Sequence, residues 1–209
     1  GTIAGITNNG TVNLSSSVSI ISFNNAIAAS NLQITALTVP TFTTLTATTA
    51  GNTVNYSAAG AQTMQSTTYN NLILSGSGTK TLGGAITTTG ALTLNNNTSL
   101  AMSTNLLTVA GNLINSGSGT ITGTTGGVTI AGGNTQSIAG FTTTGAVVVN
   151  KTGNTATFAG NVNGASLTMT SGILNLGLGL THTFTADWAM NGGTLYGSSS
   201  KLKIAFSAT

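Results

Sequence analysis

Six side chains in this 209-residue chain carry titratable groups suited to acid–base or metal chemistry: Lys80, Lys151, Lys201, Lys203, Asp187 and His182. General acid–base catalysis, nucleophile activation and metal binding all draw on such groups. His182, Asp187 and Trp188 fall within seven residues of each other. This is the one stretch where a base and an orienting acid lie close in sequence. The nucleophile would have to be one of the many serines or threonines, and nothing singles one out. A last strand with one aromatic covering the end of a core explains the same three residues. Lys80 or Lys151, with Asp187 as the acid, would be the donor of a Lys–Asn isopeptide crosslink. Both lysines sit beside turn residues and are expected in solvent. No catalytic residue, cofactor or metal site is therefore assigned, and the chain is not expected to be an enzyme.

Charged residues make up 2% of the chain, against about 25% in ordinary soluble domains. The isoelectric point of about 9.6 rests on a net charge of only +3. Four scattered lysines without arginine do not make the clustered basic face of a nucleic-acid binder, so no nucleic-acid partner is expected. No apolar run is long enough for a transmembrane helix, and membrane insertion is not expected. Apolar residues reach 39%, enough for a sizeable core. Thr supplies roughly a fifth of the chain, and Thr favours strands. The 29 glycines, with asparagine and serine, supply turns.

The apolar pattern has a period of two in short runs. Examples are Thr11–Leu14, Leu72–Leu74, Ala91–Leu94, Leu107–Val109, Gly127–Ile130, Val147–Val149 and Ser166–Met169. Turn signals such as Ser75–Gly78, Asn95–Asn97, Ser116–Gly119 and Gly132–Asn134 separate them. This predicts an all-β fold without helices. The segments from Val54 and from Val128 are similar at an offset of about 75 residues, a mark of repeat architecture. Gln62-Thr63-Met64 lies over Gln136-Ser137-Ile138, and Leu72-Ile73-Leu74 over Val147-Val148-Val149. The division that follows is an N-terminal capping or strand-exchange segment (1–50), a first repeat (51–126), and a second repeat with a C-terminal cap (127–209).

Two architectures fit. The expected one is a β-solenoid, or parallel β-helix, of about ten short rungs of about 20 residues each. The alternative is a pair of tandem β-sandwich modules. The solenoid is preferred because stacked rungs place equivalent residues roughly 4.8 Å apart. Uncharged Thr, Asn and Val tolerate that spacing, whereas like charges repel.

The run Ala61-Gln62-Thr63-Met64, followed by Tyr69-Asn70-Asn71-Leu72 and Gly78-Thr79-Lys80-Thr81-Leu82, resembles a repeat of secreted bacterial surface proteins and adhesins, including autotransporter-like β-helical ones. That resemblance implies an extracellular or cell-surface location and a passenger, stalk or fibre role. It transfers no catalytic residue.

The function expected is self-assembly, head to tail, into a surface fibre, sheath or stalk. The segment from Thr2 to Phe23 is apolar and lies outside the clear repeats. Ile3, Ile6, Val18, Ile20, Ile21 and Phe23 are the candidates for adding a strand to a neighbouring subunit. A first, atypical capping rung is the other role open to it. The alternative function is a monomeric adhesin segment binding a glycan or host surface. Thr-rich stretches such as Thr87–Thr89 and Thr142–Thr144 make ice binding a weaker alternative. Tyr56 and Tyr69 are expected to close off strand ends.

Overall fold

The computed structural model describes residues Gly1 to Ala205. The described residues form strands, turns and bends with no helix, so none is long and apolar enough to cross a membrane. Among the described residues the strand pairings are parallel, and paired residues lie 17 to 25 apart in the chain. This is a β-solenoid of about ten turns. A β-sandwich needs antiparallel sheets, so the sandwich alternative does not hold. The similarity at about 75 residues spans several turns rather than one structural step.

The chain divides into two compact units. One comprises Gly1–Ala101 with Asn115–Thr120, the other Met102–Ile114 with the chain from Ile121 onward. In the first, Thr11–Leu14, Asn31–Ile34, Thr53–Tyr56, Asn71–Leu74 and Leu92–Leu94 stack as one ladder. Because side chains alternate across a strand, each ladder carries inward and outward columns. Val12, Leu32, Val54, Leu72 and Leu92 form an inward column in strict register. From Leu32 onward its members are fully buried. The outward column beside it is Asn13, Gln33, Asn55, Ile73 and Thr93. A second stack consists of Thr2–Asn8, Ser19–Asn25 and Thr41–Thr46. A third begins at Gln62–Met64 and continues through Gly78–Leu82 to Thr98–Ser103.

In the other unit, Leu107–Val109, Val128–Ile130, the long strand Ala146–Phe158, Ser166–Asn175 and Trp188–Met190 stack in parallel. Their inward columns are Leu107, Val128, Val147, Leu167, Trp188 and Val109, Ile130, Val149, Met169, Met190. Ala146–Phe158 keeps its strand conformation through a corner, with register shifts between Val149 and Thr155. It therefore serves two faces and pairs with both Val128–Ile130 and Gln136–Ile138.

Stacking in register explains the near absence of charge. Thr108 lies over Thr129, and Val148 over Thr168. A single Thr129→Asp substitution on this outward column is expected to cost no more than about 0.5 kcal/mol. Adding Thr108→Asp in the same column should cost about 0.5–1 kcal/mol beyond the sum of the two singles. Urea denaturation at low and high salt checks this: the excess should shrink in salt, and simple additivity would contradict the stacking.

Candidate functional site

Three of the residues suited to chemistry, His182, Lys80 and Lys151, are buried and hydrogen-bonded within the fold. His182 points inward from Thr181–Phe184 and is fully buried. Its Nδ1 accepts the Val162 N–H at 3.0 Å, and its Nε2 lies 2.9 Å from the Leu176 carbonyl, to which it donates. Its ring packs on Phe158 with centroids 5.0 Å apart. With both ring nitrogens engaged by backbone, it has no free position to act as a base. Burial pushes its pKa below the ordinary value. Asp187 is exposed. Trp188 continues the inward column over Leu167 and is 45% exposed. No triad is assembled.

Lys80 and Lys151 are buried, contrary to the expectation of solvent exposure. Lys80 occupies an inward position of Gly78–Leu82, alternating with Leu82. Its ammonium donates to the carbonyls of Ala58 at 2.8 Å and Gly60 at 2.7 Å, one turn away. Lys151 donates to the carbonyls of Gly132 at 3.2 Å and Asn134 at 2.8 Å, and to Gln136 Oε1. These are corner carbonyls that turn inward: those of Ala58 and Gly132 also accept the Ser77 and Thr152 N–H groups, whereas those of Gly60 and Asn134 take no backbone donor among the described residues. A long stem ending in three donors reaches them, which is why lysine stands inside. None of these partners is an acid or an asparagine side chain, so the components of a Lys–Asn crosslink are not brought together. At Gly76, with φ +81°, a side chain would run into the Ala58 carbonyl, so the neighbouring corner stacks closely only without one.

Two buried glutamines do the same work. Gln62 Nε2 donates to Ile34 O at 2.9 Å and Ala36 O at 2.8 Å, while its Oε1 accepts the Ala58 N–H at 3.2 Å. Gln136 Nε2 donates to Gly111 O at 2.7 Å and Val109 O at 3.3 Å. Sequence reasoning matched these two glutamines across the repeat but did not read them as buried. Their place at an inward, alternating position was the available signal. Tyr56 and Tyr69 also lie inside rather than at strand ends. Their hydroxyls meet at 3.0 Å, and both engage the Gln65 backbone. Burial pushes Tyr56 up to about 12 and Tyr69 well above its ordinary value.

The assembly candidates divide into two groups. Ile20 and Phe23 are core residues, at 1% and 0% exposure, and are unavailable to a neighbour. Their interior setting follows from the registers Ile3–Ile20–Phe42 and Ile6–Phe23–Leu45. Ile3 and Ile6 head those columns on the first strand, Ile3 being 38% exposed and Ile6 half-buried. Ile21 points outward and Val18 is half-buried. The outward threonine column Thr108, Thr129, Thr168 is interrupted by Val148 and ends at Ala189, so it is not a regular lattice.

One open cleft of about 660 Å³ lies in the first unit, between the segment Leu37–Phe42 and the residues Ala61–Ser66. No ionisable side chain lines it. Comparison with known protein families, with curated proteins and with solved structures found no match for this chain.

The buried ionisable groups set the expected pH profile. Burial lowers Lys80 from 10.5 to about 8 and lowers Lys151 in the same direction. Between these limits the unfolded chain holds more protons, so stability rises with pH from about 8. Tyr56, raised from 10.0 to about 12, has the opposite sign, because the folded state then holds more protons. Stability should pass through a maximum near pH 10 and fall above it. Thermal melts from pH 7 to 12 check this; Lys80→Met with Lys151→Met should remove the rising limb. His182, lowered from 6.5, contributes stability that is lost as pH falls below that value. Melting temperatures should drop on acidification, and the drop should vanish in His182→Gln.

Proposed function

We propose that this chain is an extracellular structural protein that associates head to tail, by continued strand stacking, into a surface fibre, sheath or stalk. The observation that carries this reading is the uncharged, in-register parallel stacking itself, with the core columns at Thr2–Asn8 and at Trp188–Met190 open on one side among the described residues. Thr2–Asn8 pairs with a strand on one side only, among the described residues, and presents Ile3 and Ile6. Trp188–Met190 likewise has one partner and presents Trp188 and Met190, at 45% and 43% exposure, from the inward columns of Leu167 and Met169. An exposed strand edge without guarding charge is a template for pairing.

The corners match as well. Asn8-Asn9-Gly10 connects Thr2–Asn8 to Thr11–Leu14, and Asn191-Gly192-Gly193 connects Trp188–Met190 to Thr194–Tyr196. An Asn–Gly corner of nearly equal length suits one rung laid on the other. Lys201 and Lys203 stand outward on the last strand, Lys201–Ile204. They guard that single edge in the manner of edge lysines. The bacterial surface setting rests on the resemblance of the Ala61–Leu82 stretch.

Electron microscopy of the purified protein tests this. Uniform fibres with a regular axial repeat are expected, with little dependence on salt. Ile3→Lys with Trp188→Lys should leave dispersed particles, and Lys201→Ala with Lys203→Ala should promote assembly. Dispersed particles of the unaltered protein would overturn the fibre reading in favour of the monomeric adhesin segment, for which a glycan array is the next measurement.

A further inference from the structure

A different edge lies within the first unit. Gln62–Met64 opens its stack: its ladder partner is Gly78–Leu82, with Lys80 over Gln62 and Leu82 over Met64. The Gly83 N–H donates to the Met64 carbonyl at 3.0 Å. Backbone groups alternate along a strand, so those of Gln62 and Met64 face Gly78–Leu82, and the N–H and C=O of Thr63 face the other way. No described strand lies on that side. The cleft of about 660 Å³ does, and this is within the range of ligand sites.

Its opposite wall is Leu37–Phe42. Pro40 has no N–H to offer there, and Leu37 to Pro40 form no strand. Leu37, at 61% exposure, gives the wall an apolar surface. Thr38, Thr41 and Thr81 supply hydroxyls. The lysine of the first unit, Lys80, turns its ammonium inward to Ala58 and Gly60. A charged ligand would lose water here and find no counter-charge. A neutral extended chain finds a free amide, a free carbonyl and an apolar wall.

We propose that the free edge of Gln62–Met64 accepts an extended, uncharged peptide of alternating threonine and aliphatic residues as an added strand, seated between Thr63 and Leu37–Pro40. Strand addition of this kind takes its affinity from main-chain hydrogen bonds and its selectivity from the side chains along the groove. It is independent of head-to-tail association, because it uses a different edge.

The test is fluorescence anisotropy with a labelled, N-acetylated peptide Gly-Thr-Val-Thr-Val-Gly and dilute protein. Saturable binding is expected. Thr63→Pro removes the amide that faces the cleft and, on a free edge, breaks no ladder bond; it should weaken binding about tenfold or more. Thr63→Val, which keeps the amide, should stay within about twofold. A peptide N-methylated at alternate residues should lose about tenfold in one of its two registers against the unaltered protein, which needs no folding control. No saturation, equal affinity of both N-methylated peptides, or displacement of the peptide by cellohexaose would overturn the proposal, the last in favour of a saccharide site.

Discussion

Every other feature depends on parallel strands stacking in register, one turn over the next. A residue's neighbours above and below are then the residues one rung away, and a side-chain type tolerated once must be tolerated all along the column. Val12, Leu32, Val54, Leu72 and Leu92 satisfy this inside, and Asn13, Gln33, Asn55, Ile73 and Thr93 satisfy it outside. At rung spacing, like charges in one column would repel. The composition of the chain is thus a consequence of its geometry.

The same geometry creates a problem at each corner. A backbone that turns between faces leaves some carbonyls, here those of Ala36, Gly60, Gly111 and Asn134, pointing inward without a backbone donor among the described residues, and an unpaired buried carbonyl costs about 1–3 kcal/mol. Gln62 and Gln136 answer with amide donors, and Lys80 and Lys151 with ammonium groups. Burying an ammonium is costly in itself, and the lowered pKa of both lysines reflects that. Several carbonyls are satisfied at once in return. His182 plays a related part, bridging the Val162 N–H and the Leu176 carbonyl. Lys80, Lys151 and His182, three of the six lysine, aspartate and histidine side chains of this chain, are engaged in this way.

Stacking that fills an interior also stops somewhere. Where a ladder stops, inward columns and backbone groups are left open, as at Ile3, at Trp188 and at Thr63. Each of these edges offers the same currency of main-chain hydrogen bonds and uncharged side chains. They differ in shape: the strands Thr2–Asn8 and Trp188–Met190 present whole columns, whereas Thr63 opens into a walled cleft. Edges of this kind present backbone and shape to a neighbour, with almost no charge.

The all-β class, the absence of helices and the rung-like alternation were legible in the sequence, because side-chain alternation is a local property of a strand. Near-zero charge favoured stacked rungs over a sandwich for the same reason. The sequence also marked Gln62 with Gln136 as equivalent. It did not reveal that these glutamines, Lys80, Lys151 and the Tyr56–Tyr69 pair are interior. Polar residues are ordinarily exposed, and only the placement of corner carbonyls one turn away reverses that preference. Nor did apolar character separate Ile20 and Phe23, which are core, from Ile3, which stands at an edge. That distinction is a matter of which column continues and which ends. Local periodicity determined the strands and their uncharged faces. The tertiary structure alone decided which polar groups go inside and where the ladders stop, because both depend on partners about twenty residues away in the chain.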